Sequence, residues 1–163
     1  MNLKKIITRV FIFTLAISWV GSIFAMPAWS RNYNKEVLTE TDFSQQDLTD
    51  ASFDHTNLKG SDFSHANLTG VRFFGANLAG TNFEGANLRG ADLESTRMTR
   101  ANLNDAVLEG AFMTNVMLDN ANIEGADFTD ALMSVRTEET LCEIASGTNS
   151  TTGRNTKDTL FCP

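Results

Sequence analysis

The chain has few of the side chains that usually carry chemistry. Its 163 residues include two histidines, His55 and His65, and two cysteines, Cys142 and Cys162. That is a thin stock for a metal centre or an activated nucleophile. There is no C-x-x-C, no glycine-rich phosphate loop, and no Ser–His–Asp set that can be placed on one face. Basic residues are scarce too, with 13 Lys+Arg against 20 Asp+Glu. Lys4, Lys5 and Arg9 lie before residue 31 with no acid among them, so the remainder has 10 basic and 20 acidic residues, a formal charge of −10. Such an acidic surface repels phosphate backbones and anionic headgroups, which argues against nucleic-acid binding. With 42% hydrophobic and 20% charged residues, the composition fits neither a disordered acidic tail nor a mainly membrane-embedded chain. The length suits one domain.

The one long apolar run is N-terminal. Basic residues 1–9 precede an uncharged stretch, Val10–Ser30, with an apolar centre from Val10 to Phe24. This layout reads as a Sec-type signal peptide over residues 1–30, and the absence of a twin-arginine pair points to export unfolded. Small residues suited to a peptidase occur at Ile23-Phe24-Ala25 and Ala28-Trp29-Ser30. Cleavage after Ser30 is favoured, because both of its recognition positions are small. The competing reading is an uncleaved anchor, since the 21 uncharged residues reach across a bilayer. Pro27 and the small residues weigh for cleavage, after which no stable membrane insertion is expected.

From Thr41 to Val135 the sequence divides without a gap into fives, giving 19 units and 95 residues. The third position is always Leu, Phe, Met or Ile, and the first is Ala in eleven units. A period of five matches neither a helical stripe nor the alternation of a strand. It fits a chain that turns a corner every five residues and always points its third residue inward. The fifth position is Gly in eight units and Asn or Asp in five more, the types that tolerate positive φ at a corner. Taken in fours, as the family resemblance given next implies, the units stack the inward residues in columns. Phe43, Phe63, Phe83, Leu103 and Ile123 then face Phe53, Phe73, Leu93, Met113 and Met133.

These units resemble the pentapeptide-repeat family, whose units read A-(D/N)-L-x-x. The resemblance implies an all-β, right-handed quadrilateral β-helix, here of about 4.75 coils at four units each. Both ends then need lids. Residues 31–40 are expected to be an N-terminal cap using Tyr33, Val37 and Leu38. Residues 136–163 are expected to form the C-terminal cap, with Thr137 as N-cap of a short helix ending near Ala145. Cys142 and Cys162 bracket a polar, threonine-rich loop, which in an exported chain points to a disulfide. A redox-active pair is the alternative, though such pairs sit closer. The signal peptide, unbroken repeat and LC…ASGTN…C tail together resemble the thylakoid-lumen pentapeptide-repeat proteins of cyanobacteria and chloroplasts. That implies the lumen, with the periplasm as alternative.

The remaining candidates lie on the surface. His55 and His65, ten residues apart, fall on opposite sides of a four-cornered coil and share no metal. One wall carries Asp42, Asp62, Glu84, Asp105 and Glu124 with no basic residue. Formal charges run −5, −4, −2 and +2 around the four walls. The wall reads either as a solvated face or as an oriented docking surface for a basic partner. The outward second position is apolar in Val107, Phe112, Met117 and Leu132, which marks either a patch under the C-terminal tail or a contact with another protein. The function expected is a monomeric, non-catalytic structural or interaction protein with an unidentified protein partner and no cofactor. The alternative is an acidic mimic of duplex DNA that inhibits a topoisomerase, as some members of the family do. A signal peptide argues against that alternative.

Overall fold

The computed structural model describes residues 31–163, so the signal-peptide reading of residues 1–30 falls outside the described residues. The units of the inner circuits repeat one local form. The N–H of the third residue donates to the carbonyl nineteen residues on, as Phe63 does to Asn82 at 2.7 Å. The second residue donates back to the preceding circuit, as Asn82 does to Ser61 at 2.9 Å. The first residue of the next unit closes the corner, as Ala66 does onto the Phe63 carbonyl at 3.1 Å. Parallel bridges therefore join each second-position residue to the one twenty residues later, from Asn32↔Ser52 to Phe112↔Leu132. The pairing is β-like throughout. Among the described residues, however, it consists of isolated bridges and no strand, because a corner every five residues leaves sides too short to extend the ladder.

The coil starts earlier than the sequence pattern suggests. Asn32 and Val37 already pair with Ser52 and Asn57, so residues 31–40 are two units of the coil and not a cap over it. Tyr33 and Leu38 are their inward residues, while Val37 points outward and is 72% exposed. Residues 31–130 thus make twenty units in five circuits, against the 4.75 expected, and a rod about 24 Å long at the usual strand spacing. These units escape the pattern because Arg31 and Glu36 stand where Ala or Thr usually does, and Tyr33 replaces the aliphatic or Phe.

Corner geometry explains the fifth position. All twenty fifth residues have positive φ, from 54° at Asp105 to 70° at Gly60 and Gly125, as the third residue of a type II turn requires. Twelve of them are not glycine. A side chain in this region is strained by about 1–2 kcal/mol, and the greater chain entropy of Gly offsets part of that. Gln45, exposed at φ 58°, makes no side-chain hydrogen bond among the described residues, so Gln45→Gly is expected to stabilise the protein by about 0.5–1 kcal/mol in urea unfolding.

First- and third-position residues fill the interior. At the N-terminal end the third-position rings form two stacks. Phe43, Phe63 and Phe83 lie parallel with centroids 4.8 and 5.4 Å apart, and Tyr33, Phe53 and Phe73 lie parallel at 4.6 and 5.1 Å. The stacks meet edge to face at 5.7–6.0 Å, a geometry that puts ring edges against π-faces. Toward the C-terminus the columns change to Leu, Met and Ile.

The coil gives way to α1 (Val135–Ile144), three residues earlier than the sequence suggests. Ser134 is the N-cap, in place of Thr137: its hydroxyl accepts from the Thr137 N–H at 3.1 Å. Leu141 buries α1 against the last circuit. The chain then doubles back to a one-turn helix, α2 (Thr156–Thr159), whose capping residue Asn155 accepts from the Lys157 N–H.

Candidate functional site

With the interior filled by side chains, what the described residues can present lies on the surface and at the C-terminal end. Cys142 and Cys162 are bonded, linking α1 to the last residues of the chain. Their separation of 20 residues closes a loop whose constraint on the unfolded chain contributes about 3 kcal/mol. Reduction is expected to lower the unfolding free energy by about that amount, read by denaturant titration with and without dithiothreitol.

The tail between the cysteines is a clamp on the coil. Asn149, 1% exposed, donates through its side-chain amide to three carbonyls, those of Asp105 at 3.0 Å, Ala106 at 3.3 Å and Gly125 at 2.8 Å. Its carbonyl oxygen accepts from the N–H groups of Thr151 and Thr152. Ser150 N–H donates to Asp105, and the Thr159 hydroxyl accepts from the Phe128 N–H at 3.1 Å. Arg154 reaches Glu109 and Asp127, both at 3.2 Å. Asn149 was not singled out from sequence. Its only signal there is its place in the ASGTN segment between the cysteines.

Asp127 is fully buried, and that burial works to raise its pKa. Hydrogen bonds from the Thr129 hydroxyl and N–H and from the Thr152 hydroxyl, together with the charge on Arg154, outweigh burial and hold the carboxyl below its ordinary value. A depressed carboxylate adds stability above its unfolded pKa of about 3.9, and that stability is lost as pH falls through the folded value. The melting temperature is therefore expected to fall as pH drops below about 4, and Asp127→Asn to flatten that acid limb.

The four outward apolar residues separate into two groups. Val107 is 3% exposed and lies on the wall where the tail is clamped, between Ala106 and Glu109. It is not part of an open patch. Phe112, Met117 and Leu132 remain 44%, 42% and 55% exposed, with Phe112 and Leu132 bridged on one wall and Met117 around the corner. The tail covers the first and leaves the other three open.

The acidic wall is assembled as its spacing requires. Asp42 and Asp62 bridge directly, and each accepts from the N–H two residues on, Ser44 or Ser64, at 2.8 Å. The Ser44 hydroxyl and N–H hold the Asp42 carboxyl below its ordinary range. Asp47, on the neighbouring wall, is depressed in the same way by the Thr49 hydroxyl and N–H. Glu84 accepts from the Asn102 amide, and Glu124 is exposed. Asp105 is the exception, because the tail uses it. Adding Arg31 and Lys35 to one wall and Glu36 and Glu40 to the next changes the −2 and +2 walls to neutral. The coil is therefore acidic on two adjacent walls, at −5 and −4, and neutral on the other two.

His55 and His65 sit at separate corners in positive φ and are not brought together. Each lies over the glycine corner of the next circuit. A Cβ at Gly75 would fall 2.6 Å from His55 Nδ1, and one at Gly85 would fall 2.5 Å from His65 Nδ1. No group of three or more His, Cys, Asp or Glu that could hold a metal ion occurs among the described residues. No helix among them is long and apolar enough to cross a membrane.

Comparison with known proteins gives a family and a neighbour. The family model described as Pentapeptide repeats (8 copies) matches residues 37–75, 66–105 and 96–134. A pentapeptide repeat protein from the Arabidopsis thaliana thylakoid lumen is similar in structure, with 38% identity over 80% of this chain and 90% of its own and a TM-score of 0.66. A pentapeptide repeat protein from Nostoc PCC 7120 shares the fold at 23% identity, covering 64% of this chain and 86% of its own, with a TM-score of 0.55. A plasmid-mediated fluoroquinolone resistance protein aligns over 63% of this chain and 65% of its own at 19% identity, and its TM-score of 0.35 supports no argument. No curated protein matches the sequence.

Proposed function

The chain belongs to the pentapeptide-repeat family, and on that premise we propose that it is an exported, non-catalytic rod of the thylakoid lumen that binds a protein partner through its outer walls. The coil takes the family's right-handed quadrilateral form. What carries the reading is the distribution of side chains: the axis is packed solid, while two adjacent walls hold all the excess negative charge of the coil. A rigid surface of one sign steers and orients a basic partner more than it adds raw affinity. Support for the lumen comes from the N-terminal basic–apolar–small pattern and from the 38% identical lumenal protein of Arabidopsis. The disulfide fits an oxidising compartment.

The test is crosslinking of the native protein in its own lumenal fraction, compared with Asp62→Lys and Glu84→Lys. The expected result is one reproducible partner that is lost, or bound several-fold more weakly, when the acidic wall is reversed. Crosslinks spread over many abundant proteins, unaffected by the reversal, would sink the proposal.

A further inference from the structure

The last circuit is closed unevenly. In inner circuits the third and fifth N–H groups donate upward, as Met98 does to Met117 and Arg100 does to Asp119. The regular pattern still holds for Met113, which donates to Leu132, but beyond it some of these groups find substitutes: Gly125 donates to Ser146 and Phe128 to the Thr159 hydroxyl. The N–H groups of Leu118, Asn120 and Ile123 find no acceptor among the described residues. They border a cleft of about 930 Å³ between this edge and α1. The side chains show the same gap. Val116 and Leu118 are only half-buried, whereas Thr96 and Met98, which hold the same places one circuit earlier, are buried. Met117 and Ile144 stand exposed at the rim. Around this apolar floor Asp119 and Glu143 face a single base, Arg136.

We propose that this cleft receives an extended segment of a partner protein, which adds one more side to the coil over Val116–Asn120. Its backbone carbonyls accept from Leu118 and Asn120, an apolar side chain seats on Leu118, and flanking lysines or arginines answer Asp119 and Glu143. Unpaired backbone groups on an edge are a template for strand addition, with affinity from the main chain and selectivity from alternate side chains. The net negative rim favours a basic flank. The inference rests on the partner-binding reading above and supplies the chemistry of one contact.

The probe is the synthetic peptide acetyl-Ala-Lys-Leu-Lys-Gly-amide, which keeps the first, third and fifth residues of this chain's own units. Its control has glutamate in place of both lysines. Added to the isotopically labelled, disulfide-intact protein, the lysine peptide is expected to shift the amide resonances of Leu118, Asn120 and Ile123. It should also slow their hydrogen exchange about tenfold. Asp119→Lys and Met117→Lys, both at exposed positions, should weaken binding about fivefold without changing the remaining spectrum. No change at these amides with millimolar peptide overturns the proposal, as does equal binding of the glutamate peptide. Shifts confined to Asp62 and Glu84 overturn it while leaving the acidic-wall reading intact, and so does self-association through this edge in sedimentation. Peptide binding in the cleft, with no partner in the lumenal crosslinks, would instead leave the cleft standing and remove the partner reading.

Discussion

Phe63→Ala is expected to lower the unfolding free energy by about 4 kcal/mol. Phe63 is fully buried at mid-stack, with Phe43 and Phe83 on its two faces and the edges of Phe53 and Phe73 beside it. Truncation removes the transfer energy of a ring and four ring contacts of about 0.5–1.5 kcal/mol each, which are not fully additive. The cavity cannot collapse, because backbone hydrogen bonds above and below fix the spacing of the circuits. In a solenoid each circuit contacts only its neighbours, so the damage should also be local. Amides of the circuits on either side of Phe63 lose exchange protection first, while those near Leu108 and Phe128 keep theirs. Phe112→Ala, at a 44% exposed position, is the control and should change stability by less than about 1 kcal/mol. A loss under about 1 kcal/mol for Phe63→Ala would contradict the packing described here.

Asn149→Ala is expected to destabilise by roughly 3–4 kcal/mol and to free the tail. One amide satisfies three carbonyls from two circuits and its oxygen orders two N–H groups of its own loop, all at a site 1% exposed to solvent. Alanine leaves a small void and takes the partner from the Asp105 and Gly125 carbonyls and from the two loop N–H groups, each worth about 1–3 kcal/mol when unsatisfied, while the Ala106 carbonyl still accepts from the Asp127 N–H. Asn149→Asp keeps the shape and the acceptor but puts a carboxylate against carbonyl oxygens, so it should be no better. With the clamp gone, Val107 loses its cover and limited proteolysis is expected to cut between Gly147 and Arg154. Because the Cys142–Cys162 bond still holds the ends of this segment, cleavage should release no fragment until the protein is reduced. Resistance of the variant to proteolysis at wild-type levels would show that the bridge alone seats the tail.

The coil was legible in the sequence because one residue type per position carries one physical duty. Leu, Phe, Met or Ile at the third position fixes the interior, and Gly, Asn or Asp at the fifth marks the corner. The same rule hid the first two units, where Arg31 and Glu36 occupy the first position at an open end that does not demand small residues. The corner rule also understates what the backbone tolerates. Lys35, Glu40, Gln45 and Arg100 all take positive φ, because hydrogen bonds to the next circuit hold the turn regardless of the side chain.

The site was less legible, since its parts come together only across circuits. Val107 read as outward-facing from its position in the unit, and only the path of the tail, forty residues later, buries it. Asn149 is one asparagine among many until the fold brings three carbonyls to it. The uncapped edge at Leu118 and Asn120 could not be read at all. It depends on which walls α1 and the tail fail to cover, and that follows from helix direction and not from any local motif. The charge of the walls, by contrast, followed from the period and the four-sided section that the family resemblance implies, once the first circuit was counted correctly.

The most direct test of an exported, lumenal rod is the intact mass of the native protein recovered from a washed lumenal fraction, before and after reduction. The expected result is a chain beginning at or near Arg31 that gains two hydrogens on reduction, from the one bond between Cys142 and Cys162. A full-length chain with free thiols, found with the cytoplasmic proteins, would contradict it and return the acidic walls to a cytoplasmic target.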